Sequence, residues 1–353
     1  MPPPLSKQKI TPATQPQPPI PMVPIRPQPR RRHSGLWLVV AVWILLLGLL
    51  FANRQDISDW WRLRSYTPPA AVASLADQDT MTPYARHLFY LNRPQLLSSV
   101  NSFRSHCPQN ENAVVLGCYH PGENGIYVYD VQDPKLQGVT QVTAAHEDLH
   151  AIYARLSSKD QAGVNKLLED YYKIGLTDSQ VKAEIEEYKK TEPGAVLDEM
   201  HSVFGTEIAN LPAPLEAYYK KYFSNRAAII GYQQRYQAEF SNRRSTVARY
   251  DARLTAMKSQ IDSQQAALDS QLKQINATKA RLDNLRDTGD AAAYNAAVPG
   301  YNAQVSAYNS AVASLKILIS EYNQLVEARN QLAGELNTLD KALDTRLNQQ
   351  ASQ

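Results

Sequence analysis

Cysteine is almost absent from this sequence: 353 residues contain two, Cys107 and Cys118. So few exclude a cysteine-rich scaffold and leave room for one bridge at most. Acidic residues are missing from positions 1–34, and charge of either sign is missing from Leu36 to Ala52. The small excess of base is therefore local. Lys7, Lys9, Arg26, Arg30, Arg31 and Arg32 fall in the first 34 residues; removing those six from 37 bases leaves 31 against 34 acids, a balance of −3. A slightly acidic remainder gives no signal of nucleic-acid binding.

The same 34 residues hold 11 of the 22 prolines. They read as a disordered, basic cytoplasmic arm with polyproline character. The uncharged run "LWLVVAVWILLLGLLFA" then spans about 26 Å as a helix, against a bilayer core of about 30 Å. Arginines precede it, and Trp60, Trp61 and Tyr66 follow. Residues 35–53 are thus expected to be a single transmembrane helix with its N-terminus cytoplasmic and the rest of the chain extracytoplasmic. A cleaved signal peptide is the competing reading, but the run is long for one and "LLFAN" is a poor cleavage site, with Leu50 at the −3 position. An oxidising compartment pairs Cys107 with Cys118 in a disulfide; two buried free thiols are the alternative.

After a linker over 54–83, a globular domain is expected over 84–223. "ARHLFYLNRPQL" reads as a strand centred on Leu88 to Leu91, and "QLLSSVNSFRSH" as a short helix with Leu96, Leu97, Val100 and Phe103 on one side. "AVVLGCY" and "GIYVYDV" read as two strands joined by a turn at "HPGEN". Thr140 or Thr143 then starts a helix carrying "HEDLH". On it His146 and His150 stand four apart, so both imidazoles leave one face a turn from each other, as two ligands of a tetrahedral zinc require. Glu147 sits beside them, placed to take a proton from a water without being a ligand. Chance gives such a motif to about one chain in a hundred of this histidine content, so two structural histidines remain the weaker alternative.

With its hairpin followed by "HEDLH", the chain resembles the HExxH zinc metallopeptidases. The metzincin extension is absent, since "AIYARLSS" after His150 has neither the Gly nor the third His. The segment "LDEMHSVFGTEIANLP" (197–212) is similar to the glutamate helix of gluzincins such as thermolysin. That resemblance implies a Zn²⁺ cofactor, a peptide or protein substrate, and Glu199 as third ligand. An alignment on "FGT" gives Asp198 instead, and His201 and Glu207 are further alternatives. Tyr218, Tyr219, Tyr222 or His201 would stabilise an oxyanion. Between the two helices, residues 157–194 read as a helical hairpin broken at "KIGLTD", with Gly175 closing one helix and Thr177 or Asp178 opening the next.

From 224 to 348 the pattern is a coiled coil. Leu254, Ile261, Leu268, Ile275 and Leu282 recur every seven residues, with Met257 and Leu285 in the second seam position. After a break at "RDTGDAAAYNAAVPG", Tyr294, Tyr301, Tyr308, Leu315 and Tyr322 keep one register, and Val298, Val305, Val312, Ile319 and Val326 the other. Gln264 and Gln271 weaken the first seam, which leaves the arm open to a protein partner or to self-association. The fold class expected is mainly α, an α+β zincin-like domain with a small antiparallel β element, plus a long antiparallel helical hairpin and one N-terminal span. Two functions follow: a membrane-anchored, extracytoplasmic zinc peptidase, or a cell-envelope scaffold or adaptor acting through its hairpin with a degenerate zincin domain.

Overall fold

The computed structural model describes residues 19, 21–22, 34–107, 114–122 and 125–346. The arm expected over 1–34 lies almost wholly outside them. The chain divides into two compact units, 1–58 and 59–353. The first contains helix α1 (Ser34–Ala52) and the start of α2 (Arg54–Leu63). Among the described residues no single helix is long and apolar enough to cross a membrane; the bent pair Leu38–Ala52 and Arg54–Leu63 meets that test together, by length and composition.

The second unit begins earlier than expected. Within the proposed linker, α3 (Ala70–Gln78) buries Val72, Leu75 and Ala76, and Met81 bridges to Phe223. The strand expected at Leu88 to Leu91 is instead the end of α4 (Pro83–Leu91). Thr82 caps this helix by accepting from the Ala85 amide, and Pro83 occupies its first turn. Ala85, Leu88 and Phe89 then fall at helical spacing and are buried. A short apolar run does not distinguish strand from helix; the Thr-Pro start does.

Strand β1 (Gln95–Leu97) follows, so Leu96 and Leu97 belong to a strand rather than to α5 (Val100–His106). Strands β2 (Gly117–His120) and β3 (Gly125–Tyr129) form the expected antiparallel pair. Because β1 joins β3 in parallel, the sheet is mixed, in the order β1-β3-β2, and not purely antiparallel. Cys107 and Cys118 are disulfide-bonded with Cα atoms 5.7 Å apart, tying α5 to β2.

Helix α6 (Val139–Arg155) starts after Gly138, earlier than either threonine. Helices α7 (Ser158–Ile174) and α8 (Ser179–Thr191) are the two expected helices, the first ended by Gly175 and the second opened by Asp178, whose side chain accepts from the Gln180 and Val181 amides; each packs on α9, and they touch through Tyr172, Glu186 and Lys189. Helix α9 (Val196–Glu207) packs on α6 and is followed by α10 (Ala213–Tyr219). The two long helices α11 (Arg226–Asp287) and α12 (Ala291–Leu343) lie against each other. At 62 residues, α11 is about 93 Å long. Met257, Ile261, Leu268, Ile275 and Leu282 are buried on α11, with Ile261 and Leu268 clustered against Leu315, whereas Ile319 is 37% exposed and leaves the register. The break is only Thr288 to Asp290, and α12 continues through Pro299.

The core also runs across the boundary expected at 223/224. Ile229 belongs to the same cluster as Leu149, Phe204 and Tyr219. Arg226, 7% exposed, opens α11 and closes α9. It donates to the carbonyls of Ile208 at 2.6 Å and Ala209 at 3.1 Å and is ion-paired to Glu216. Those carbonyls would otherwise end a helix in the core without donors. We expect Arg226→Ala to lower the stability of the domain by about 3 kcal/mol in denaturant unfolding, since it strands both the carbonyls and Glu216, with Arg226→Lys recovering only part.

Candidate metal centre

On α6 the His146 and His150 rings stand with centroids 4.8 Å and Nε2 atoms 3.1 Å apart. Helix α9 brings Glu199 to them: one carboxylate oxygen is 3.7 Å from His146 Nε2 and the other 3.7 Å from His150 Nε2. One ligand atom from each of the three residues lies within 4.8 Å of the others. Asp198, one residue earlier, has a different role. Its Oδ1 is 2.8 Å from His150 Nδ1. That nitrogen therefore carries the proton and donates to the carboxylate, which turns the Nε2 lone pair toward His146 and Glu199. Geometry thus separates the two registers left open by the sequence, with Asp198 orienting and Glu199 facing the ligand atoms.

The donor set suits a cation. Two imidazole nitrogens and a carboxylate crowd together, and Glu199 Oε2 is buried without a hydrogen-bond partner among the described residues. Three such ligands with further positions open are what a divalent site available to substrate uses. Burial works against charge on His150, but the hydrogen bond to Asp198 and the Glu147 and Glu199 carboxylates outweigh it and push it up to about 9. Burial likewise opposes charge on Glu199, yet the two imidazoles and the Tyr188 hydroxyl hold its carboxyl below the usual range.

Glu147 is 6% exposed and lies against strand β2. A Cβ at Gly117 would come within 2.6 Å of Glu147 Oε1 and of Thr143 Cγ2, so only glycine lets the strand pass this close. Burial raises the Glu147 carboxyl above its ordinary value, and the two imidazoles oppose that rise. Strand β2 is at the edge of the sheet, paired only with β3 among the described strands.

The other candidates lie elsewhere. His201 is fully buried, with Nε2 2.8 Å from the Tyr218 hydroxyl, and burial depresses it to about 3, so it stays neutral. Tyr219 donates to the His201 carbonyl at 2.7 Å and Tyr222 to the Tyr218 hydroxyl at 3.4 Å. These tyrosines form a buried network behind α9, and the oxyanion role expected of them and of His201 has no geometric support. Glu207 is not in the ligand group; burial and Glu184 push its carboxyl up to about 7. The sequence reading missed Tyr188 and Glu184, both on α8, whose charges or dipoles are felt at Glu199 and His146. Their spacing of four on one helix was the available signal.

Compared with protein-family models, with curated proteins and with solved structures, the chain finds no match in any of the three.

The protons on the imidazoles compete with a metal. Metal affinity, measured by chelator competition, should therefore climb from pH 6 toward about 9, the pH at which His150 gives up its proton. Without metal the same raised value stabilises the fold fully below about 6.5 and loses that contribution as pH rises through about 9. Asp198→Asn should weaken metal binding about 10- to 100-fold and flatten this pH dependence, because His150 loses the partner that orients it.

Proposed function

We propose that this protein is a zinc-dependent peptidase held at a membrane with its catalytic unit on the extracytoplasmic side. The observation that carries the reading is the convergence of His146, His150 and Glu199 within 4.8 Å, with a buried non-ligand carboxylate, Glu147, on the same helix. A scaffold has no use for an oriented pair of imidazoles, a third donor and a base together.

Zinc bound by those three residues would polarise a carbonyl and the O–H bond of a water, which lowers the barrier to attack on an amide. The chain's own groups supply the remainder. Glu147, with its carboxyl raised by burial, takes the proton of the attacking water and passes it to the leaving amine nitrogen. Asp198 holds His150 in one tautomer. The unpaired edge of β2 offers backbone N–H and C=O groups to an extended peptide, so that the segment to be cut runs alongside Glu147. Tyr188, whose hydroxyl acts on Glu199, would donate to an oxyanion.

The membrane part of the reading rests on helix α1, whose described side chains from Leu38 to Phe51 are apolar or small and exposed, including Trp43 at 61%. The Cys107–Cys118 disulfide supports an oxidising compartment for the rest.

The test is metal content together with hydrolysis of a peptide library by the purified full-length chain. Near one zinc per chain is expected, lost in His146→Ala and Glu199→Gln. Glu147→Gln should keep its zinc while hydrolysis falls by about 100- to 10,000-fold. Zinc that is bound without any hydrolysis would leave a metal site and remove the peptidase; no zinc after zinc-replete purification would remove both.

A further inference from the structure

Helix α2 turns an apolar face away from the core. Ile57, Trp60, Trp61 and Arg64 recur at spacings of three and four and so share one side, while Asp59, Arg62 and Leu63 share the other. The second set is tied down. Asp59 is buried and ion-paired at 2.5 Å to Arg155, the last residue of α6; Arg93 donates to the Arg62 carbonyl at 3.3 Å; and Leu63 packs on the main core. The first set lies open. Trp60 is 60% exposed and Trp61 56%, their rings meet edge to face with centroids 5.6 Å apart, and the Arg64 guanidinium stands 4.0 Å from the centre of the Trp61 ring.

We propose that this face seats the folded unit on the bilayer, with both indoles at the level of the lipid headgroups. The proposal rests on the membrane reading given above and adds to it a docking surface for the catalytic unit. Adjacent indoles held in water by a helix that cannot turn form an exposed apolar patch, which marks a surface that something covers. Three observations select lipid as the cover. Asn53 alone separates α2 from α1, so the face begins where the exposed apolar run of α1 ends. Indole has an apolar body and a single N–H donor, and it collects at the headgroup level rather than in hydrocarbon or in water. In and around α2, Arg54, Arg62, Arg64, Arg93 and Arg155 stand against Asp56 and Asp59, five bases against two acids, which suits anionic lipid phosphate. The inner face, with Asp59 and Arg62 clamped by Arg155 and Arg93, keeps α2 at the interface and out of the hydrocarbon. The same clamp reaches the metal centre. Arg155 lies five residues beyond His150 on α6, about 7.5 Å along the helix, so the helix that carries both imidazoles is pinned to the helix that meets the lipid.

The experiment uses the full-length chain carrying Trp37→Phe and Trp43→Phe, which leaves Trp60 and Trp61 as its tryptophans. It is reconstituted into vesicles of phosphatidylcholine and phosphatidylglycerol, with or without bromine near the headgroup end of the acyl chains. The expected result is flotation with the vesicles, loss of about half or more of the tryptophan emission to brominated lipid, and quenching by aqueous acrylamide reduced about threefold from that of a free tryptophan amide. A flexible Gly-Ser insertion of about ten residues after Asn53 should leave both values unchanged, because the face holds lipid by itself. Bromine quenching that disappears on insertion means that α1 merely keeps the unit close, and it overturns the proposal. Shielding from acrylamide without bromine quenching puts a second copy or another protein on the face and overturns it too, as do tryptophans that stay open to acrylamide in a chain that floats. A chain that does not float overturns the membrane reading and this proposal with it, whereas the other outcomes strike this face alone.

Discussion

The close approach of α6 and α9 governs everything else in the second unit. The two helices meet where Gly205 faces Leu149 and the Tyr219 ring, a contact that any Cβ at 205 would obstruct. Only at that separation does Glu199 stand opposite two imidazoles that sit on another helix. A slip of one residue along α9 rotates its side chains by about 100° and would replace Glu199 by Asp198 or Met200. Helix α9 is accordingly held twice, just past its end by the carbonyl bonds from Arg226 and at mid-length by the Tyr219 hydroxyl on the His201 carbonyl.

Charge follows from that geometry. Glu147, Asp198, Glu199, Glu184 and Glu207 all act on the two imidazoles or on one another, and the His146 and His150 rings are the cations set against them. In water such an excess of carboxylate would be screened; in a buried pocket it is not. Protons relieve it, which is why both imidazoles are raised despite burial; burial, and then Glu184, pushes Glu207 toward neutrality. A divalent cation relieves it better, because it replaces two protons and takes donors from both helices. The electrostatic field of the domain and the ligand geometry therefore ask for the same thing.

What was legible in the sequence was whatever depends on local spacing. The HExxH face, the break between α7 and α8 with its Gly175 and Asp178 ends, and the seven-residue seam of α11 are each written in residues at most a few turns apart. Failures came where a local start signal was passed over or where tertiary context decides. Leu88 to Leu91 has strand composition, but Thr82 and Pro83 commit it to a helix. Strand β1 is three residues long and exists only because β3 offers its edge. Asp198 and Glu199 are adjacent acids that no pattern separates; the direction of approach of α9 does so. The tyrosines and His201 were credited with chemistry because aromatic and imidazole groups are versatile, whereas all four are buried in the core.

The long hairpin is not a detachable appendage, although its composition changes as if it were. Its first helix begins inside the main core with Arg226 and Ile229, and its second ends in a smaller cluster at the start of α6. Leu339 packs with Leu136, Val139 and Phe240, and Thr345 donates to the Val115 carbonyl at 2.7 Å, two residues before β2. Glu335 is 3.1 Å from Arg243 and 3.4 Å from Lys135, which ties both arms to the turn that precedes α6. Cutting the chain at the compositional boundary would expose the apolar start of α6 and release the segment that leads into the edge strand. The helix that carries both histidines and the strand that lies on Glu147 are thus supported from beneath by the root of the arm, and the two parts stand or fall as one folded body.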